Sequence, residues 1–449
     1  MKTRIYFPIE IHRREFLSRI IFSLKAANKG FSVVIGAKEE IYSKLNLLRP
    51  GHYILKSVQH RLINFVNELK KKNFKISAID EEGLMHYDDQ YYLRRYGKNV
   101  IDEIDNYFFC WGYKDMELIK TKFPQLSKKI VIAGNTRINI LNKKYEKLYQ
   151  EEVLKIKKKF GQFYLVSTKF GKINFLPRKG YTEYVKGQID SGYVTNDYTL
   201  NIAKEAKEHE KKNYELYLKF FELFSEKLPN HKLVILPHPG ENYEIYREIS
   251  EKYKNIELST GEFSTESMLL ATKCNISCNC TTSVESYYLG KVPINFIPFV
   301  NENVEYSFPK IVSKNLYDIN DLINFLLKFD ENKNLNFIKM LDAKKIEENI
   351  INIDTEEKII ENLGEYKIKN VNIYSSELIS RYYFLKRFVR ENLIPKKLIY
   401  DPARALKDQK NPKISKEQLI EISNQFIEIT KLNKPNIKEI YPGIFEFTC

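Results

Sequence analysis

The sequence predicts an α/β protein of two successive Rossmann-like halves, each a parallel sheet wound with helices, followed by a helical C-terminal extension. Three observations carry that expectation. Short apolar runs alternate with helix-length amphipathic segments from residue 3 to about residue 300, the pattern of repeated βαβ units. At 449 residues the chain is long for one domain and comfortable for two plus an appendage. A charged helical segment over 138–160 links the two series, so the chain divides into domains 1–150 and 151–330 and an extension 331–449.

Taken in order, 3–8 is a strand and 13–29 a helix that stops near Gly30; 31–35 is a strand and 39–47 a helix. A strand over 53–55, a helix over 60–72 and a strand over 74–79 follow, ending in Asp80-Glu81-Glu82-Gly83. A helix over 88–104, a strand over 107–110, a helix over 114–122 and a strand over 130–133 complete the first half. The second half has strands at 163–167, 232–236, 256–258, 274–277 and 292–296. Between its first two strands lies an insertion over 169–197, rich in Gly, Lys and Tyr, and then an amphipathic helix to about residue 226. Insertions of that length inside a compact domain are functional lids or disordered segments, and a lid is the expectation here. Beyond about 310 the strands are expected to stop and helices to dominate. Two Rossmann-like halves joined mid-chain describe the GT-B architecture of glycosyltransferases, whose active site lies in the cleft between the halves.

Composition narrows the class further. Hydrophobic residues at 43% and charged residues at 29% are ordinary for a soluble globular protein, so extended disorder is not expected. Lys and Arg number 73 against 58 acids, a net charge of +15 that suits acidic substrates, an anionic membrane face or nucleic acid. The basic residues are spread among acids without a nucleic-acid-binding signature, so no nucleic-acid partner is expected. Five cysteines argue against a disulfide framework. Cys274, Cys278 and Cys280 read as small buried hydrophobes rather than metal ligands. With no secretory signal and no apolar run of membrane-spanning length, the protein is expected in the cytoplasm.

Ligands of open α/β sheets bind outside the carboxyl ends of the strands. Three such ends carry chemistry. In Asp80-Glu81-Glu82-Gly83 the crowded carboxylates should raise at least one pKa, and the glycine should allow a sharp turn. The same acids also suit the N-terminus of a helix. In His238-Pro239-Gly240 an imidazole stands at a strand end, Pro239 stiffens the turn and Gly240 leaves backbone amides accessible. Thr281, Thr282 and Ser283 open a helix, where they serve as caps or as a phosphate site, and Glu285 one turn in could accept from ribose hydroxyls. One βαβ unit separates the last two loops, so they should lie side by side.

These motifs carry a resemblance. Bacterial GT-B sialyltransferases and Kdo transferases have an acidic-acidic-glycine motif in the first half. In the second half they have a His-Pro motif and a Ser/Thr pair that holds the CMP phosphate; Glu81-Glu82-Gly83, His238-Pro239 and Thr282-Ser283 are similar in order and spacing. The chain also resembles the bacterial surface carbohydrate biosynthesis family over roughly 3–300. The similarity lies in Ile9-Glu10, Arg13-Arg14-Glu15, Phe109-Cys110-Trp111-Gly112, Gly134-Asn135-Thr136-Arg137-Ile138 and Thr168-Lys169-Phe170. Thr136 stands where family members often carry Pro, and Lys169 where they often carry Asn.

The resemblance implies a transferase that moves a 2-keto acid sugar (Kdo, pseudaminic, legionaminic or sialic acid) from a CMP-activated donor to a glycan or lipid-linked glycan acceptor, without a metal. It makes Glu82 the base of an inverting mechanism, or Glu81 or Asp80 a nucleophile in a retaining one, with His238 on the CMP phosphate. Asp88-Asp89 is expected to cap a helix. A second class, an enzyme moving a polyol phosphate from a CDP donor in wall-polymer synthesis, also uses strand-end histidines. The tail, with Arg381, Lys386, Arg387, Arg390, Lys396, Lys397 and Arg404 among Tyr382, Tyr383, Phe384 and Phe388, has two readings. It touches an anionic membrane face peripherally, or it packs as a solvated helix on the second domain.

Overall fold

Apolar, β-branched runs become strands buried on both faces, and the amphipathic segments between them become the covering helices. The computed structural model describes residues 2–83, 87–176, 183–329, 341–364, 377–392 and 414–449. Two units result: Met1–Gly83 with Arg95–Ile140 and Ile350–Cys449, and Leu84–Arg94 with Leu141–Asn349.

In the first unit, β1 (Arg4–Tyr6), β2 (Ser32–Gly36), β3 (His52–Leu55), β4 (Lys75–Ile79), β5 (Phe108–Cys110) and β6 (Ile130–Ile132) are parallel. They lie in the order β2-β1-β3-β4-β5-β6. The helix His12–Asn28 ends at Lys29, and Gly30 takes the positive φ of 91° that the turn into β2 needs. The expected helix over 88–104 is two pieces, Asp89–Leu93 in the second unit and Lys98–Ile101 in this one. Gly97 lies between them, where a Cβ would sit 2.4 Å from the Cα of His60. Asp88 caps the first piece by accepting from the Tyr91 amide at 2.8 Å, as the sequence suggests. The expected linker helix over 138–160 is also broken, with Gln150–Phe160 as its regular part.

The second unit contains β7 (Phe163–Ser167), β8 (Lys232–Leu236), β9 (Ile256–Leu258), β10 (Cys274–Ser277), β11 (Val292–Phe296) and β12 (Lys314–Leu316). Its sheet is parallel throughout. Strand β7 shows why the run must be apolar on both faces. Tyr164 and Val166 face the cluster containing Phe220 and Ile235, while Phe163 and Leu165 face the one containing Ile156 and Met268. The long helix Asp197–Lys227 starts at a capping box made by Asn196 and Thr199. Cys274 and Cys278 are buried in this core, where burial pushes the Cys278 thiol up to about 12.

The extension is helical over Glu377–Asn392 and Lys416–Thr430, but strands do not stop at 310. Besides β12, the chain ends in a hairpin of β13 (Asn436–Tyr441) and β14 (Ile444–Thr448). Strand β14 pairs antiparallel with β2, so Ile350–Cys449 belongs to the first unit rather than standing apart as 331–449. The helix Glu377–Asn392 packs there too, not on the second unit as one reading of the tail has it. Ser380 Oγ donates to the Ile440 carbonyl at 2.8 Å, and Tyr383 meets the Tyr441 ring edge-on at 6.0 Å. Lys396, Lys397 and Arg404 lie outside the described residues. Among the described residues no helix is long and apolar enough to cross a membrane.

Candidate functional site

The sheet of the second unit runs β9-β8-β7-β10-β11-β12. Strand β7 is its first in sequence; the chain builds outward through β8 and β9 on one side and through β10 to β12 on the other. Such a reversal opens a crevice at the carboxyl ends of the two strands flanking it, β7 and β10. Thr168 and Lys169 follow β7, residues 278–283 follow β10, and the His238 loop follows β8. The register of β8, β7 and β10 places the three loops along one edge, with the end of β7 between the His238 loop and residues 278–283, which the sequence predicts to lie side by side.

Glu241 organises this edge and was not singled out in the sequence. It is fully buried, and its carboxylate accepts from the Tyr246 hydroxyl at 2.6 Å, the Phe170 amide at 3.0 Å and the Thr168 hydroxyl at 3.0 Å. Burial pushes its carboxyl up to about 7 despite those donors. Thr168 Oγ1 in turn accepts from the His238 amide at 3.4 Å, so Glu241 ties the end of β7 to the histidine loop.

The half-buried His238 accepts at Nδ1 from the Gly240 amide, 3.1 Å away. That bond puts the ring proton on Nε2. The Gly240 amide, expected to be accessible to a ligand, is therefore spent within the loop. Glycine fits there because a Cβ would lie 3.3 Å from Nδ1.

The helix Thr281–Tyr288 begins at Cys280 with no side-chain cap. None of the three expected hydroxyl caps forms. Ser283 is buried and shares a 2.7 Å hydrogen bond with Ser277. Thr282 Oγ1 is buried with no hydrogen-bond partner among the described residues. Uncapped amides thus lie beside an unsatisfied hydroxyl, a natural anion seat. Glu285 is 5% exposed and close to Tyr149, too enclosed for the ribose contact expected of it.

Lys169 donates to the Asn279 carbonyl at 2.7 Å and lies 4.0 Å from the centre of the Tyr306 ring. Burial, with the charge of Lys172 adding to it, lowers its ammonium to about 8. The start of the insertion is anchored rather than loose: Phe170 is in the core, and Lys172 pairs with Glu210. The expected lid over 169–197 contains the helix Tyr184–Asp190, and residues 177–182 lie outside those described.

In the first unit the acidic loop follows β4, and its three carboxylates go separate ways instead of crowding. Asp80 is buried, bonded to Arg95 and to the Tyr96 hydroxyl at 2.9 Å. Glu81 is buried against the fully buried Arg19, with Arg137 at 3.9 Å and the Asn135 amide at 3.2 Å. Burial pushes the Glu81 carboxyl up, but Arg19, Arg137 and Lys56 together outweigh it and hold it at about 2. Glu82 is 42% exposed, with the Arg14 guanidinium 3.6 Å away. Of the three, Glu82 is thus the carboxylate open to solvent. Gly83 is required by close approach rather than by a special φ, since a Cβ would lie 2.8 Å from Trp111 Nε1. That indole donates to the Asp80 carbonyl at 2.7 Å. Leu84–Arg94, immediately after the loop, belongs to the second unit.

No family model matches the chain, and no curated protein matches it. Solved structures do. UDP-GlcNAc 2-epimerase from Neisseria meningitidis, bound to UDP-GlcNAc, is 14% identical, with a TM-score of 0.49 over 81% of this chain and 99% of that one. The wall teichoic acid polymerase TagF is 10% identical, with a TM-score of 0.48 over 81% of this chain and 88% of that one. S. aureus MnaA with UDP is 14% identical, with a TM-score of 0.48 over 83% of this chain and all of that one.

Proposed function

We propose that the chain is a glycosyltransferase that moves a 2-keto acid sugar from a CMP-activated donor to a bacterial surface glycan acceptor. The observation that carries this reading is the reversal of strand order at β7 in the second unit. Its crevice gathers Thr168, Lys169, the uncapped helix at Thr281 with the unsatisfied Thr282 hydroxyl, and, one strand over, His238. The CMP phosphate sits on the helix amides and Thr282 Oγ1, and the His238 Nε2–H donates to it as it leaves.

Glu82 takes the proton from the acceptor hydroxyl. The acceptor oxygen bonds to the anomeric carbon as the bond from that carbon to the phosphate oxygen breaks, and CMP departs. Glu81 and Asp80 are spoken for by arginines, which favours one inverting displacement over a covalent intermediate on either. No metal enters this scheme. The acceptor is a lipid-linked glycan, and the helix Glu377–Asn392 makes the peripheral membrane contact.

The test is incubation with CMP-Kdo, CMP-sialic acid and CDP-glycerol, scored by nucleotide release with a glycan acceptor present. Acceptor-dependent CMP release from a CMP-sugar is expected. Release from CDP-glycerol alone would instead establish a polyol phosphotransferase.

A further inference from the structure

Beside the β7–β10 crevice lies a small recess whose wall includes Lys169, Lys172, Glu210, Phe170, Asn279 and Val304. We propose that this recess seats the anionic group a donor carries beyond its nucleotide, a carboxylate or a phosphate, on the ammonium of Lys169. The inference rests on the nucleotide-donor reading above and adds to it the place and chemistry of the transferred moiety.

Charge counting points to an anion. Lys172 is committed to Glu210, whose carboxylate takes both its ammonium and, at 2.5 Å, its backbone amide. His209 and Lys310 converge on Glu305 and close a separate group. Lys169 makes no ion pair with a carboxylate among the described residues; it touches a carbonyl and an aromatic ring, and feels Glu210, already paired with Lys172, only at longer range. Lys169 and Lys172 against Glu210 therefore leave one positive charge on the wall. A half-buried ammonium without a counter-charge is costly, and a bound monoanion removes the cost.

The ammonium is also held in place. Asn279 has a left-handed φ of 51°, and its side chain is clamped at both ends by the Tyr306 backbone, with Nδ2 donating to the carbonyl at 2.8 Å. That clamp aims the Asn279 carbonyl at Lys169. Phe170 and Val304 supply apolar walls, which strengthen any ion pair formed inside.

Calorimetric titration of the full chain with CMP, CMP-Kdo and CDP-glycerol tests the proposal in wild type, Lys169→Met and Lys169→Arg. One anionic donor should bind wild type at least about tenfold tighter than CMP. Lys169→Met should erase that advantage, lowering donor affinity at least about fivefold more than CMP affinity, and Lys169→Arg should keep most of it. A gain with CMP-Kdo identifies a carboxylate, and one with CDP-glycerol a phosphate. Equal loss of CMP and donor binding in Lys169→Met, or no advantage of either donor over CMP in wild type, overturns this inference alone. A wild type that binds no cytidine nucleotide overturns the donor reading and this one together.

Discussion

Glu81 and Glu82 are neighbours in sequence and opposites in environment. Replacing Glu81 by Gln removes the nearer of the two carboxylates on the fully buried Arg19 guanidinium, with Glu15 remaining at 3.7 Å, which costs up to about 3–5 kcal/mol. Replacing the more exposed Glu82 by Gln should cost little stability but slow transfer about 10²–10⁴-fold with CMP affinity kept. Thermal denaturation and initial rates on the two variants check the contrast. Loss of CMP binding with transfer intact in Glu82→Gln would remove it from catalysis.

Glu241 provides a pH signature. Its folded value of about 7 lies above the ordinary 4.5, so between those values the native state holds a proton that the unfolded chain has lost. Stability should then fall as pH rises through that window, by about 3 kcal/mol from this group. Glu241→Gln should flatten the fall, so that variant and wild-type melting temperatures converge or cross between about pH 5 and pH 8. Parallel curves would contradict the burial argument. Neither Glu241 nor Arg19 was legible in the sequence, because their partners come from distant segments. The one local signal for Arg19 is a charged residue between the apolar Phe16 and Ile20, where a side chain must find a buried partner.

At the level of elements, the strands of both sheets were legible because an apolar run bounded by turn residues has few other uses. The C-terminal hairpin was missed although Pro442-Gly443 between two β-rich stretches marks a turn. Pairing with β2 places it in the first sheet. The helix Glu377–Asn392 has an open face. Opposite Ser380 and Tyr383 it exposes Tyr382, Leu385 and Val389 at 58%, 62% and 38%, flanked by the exposed Arg381 and Lys386. Vesicles containing phosphatidylglycerol should sediment with the protein in a salt-sensitive way, and phosphatidylcholine vesicles should not. Leu385→Asp should reduce that binding about fivefold or more. Equal binding to both lipids, or none, would leave the membrane contact without support.

At the level of the whole molecule, the division into two parallel α/β units was legible from the alternation of runs, and the crevice of the second unit from three strand ends. Strand order was not, since pairing between β7 and β10 joins segments over a hundred residues apart. Yet that order decides where CMP sits in the proposed function. A crystal structure of the full chain with CMP is the most direct measurement. The phosphate should lie within hydrogen-bonding distance of His238 Nε2 and Thr282 Oγ1, over the first turn of the helix Thr281–Tyr288. CMP bound away from the ends of β7, β8 and β10, or absent from crystals grown at millimolar nucleotide, would contradict the account.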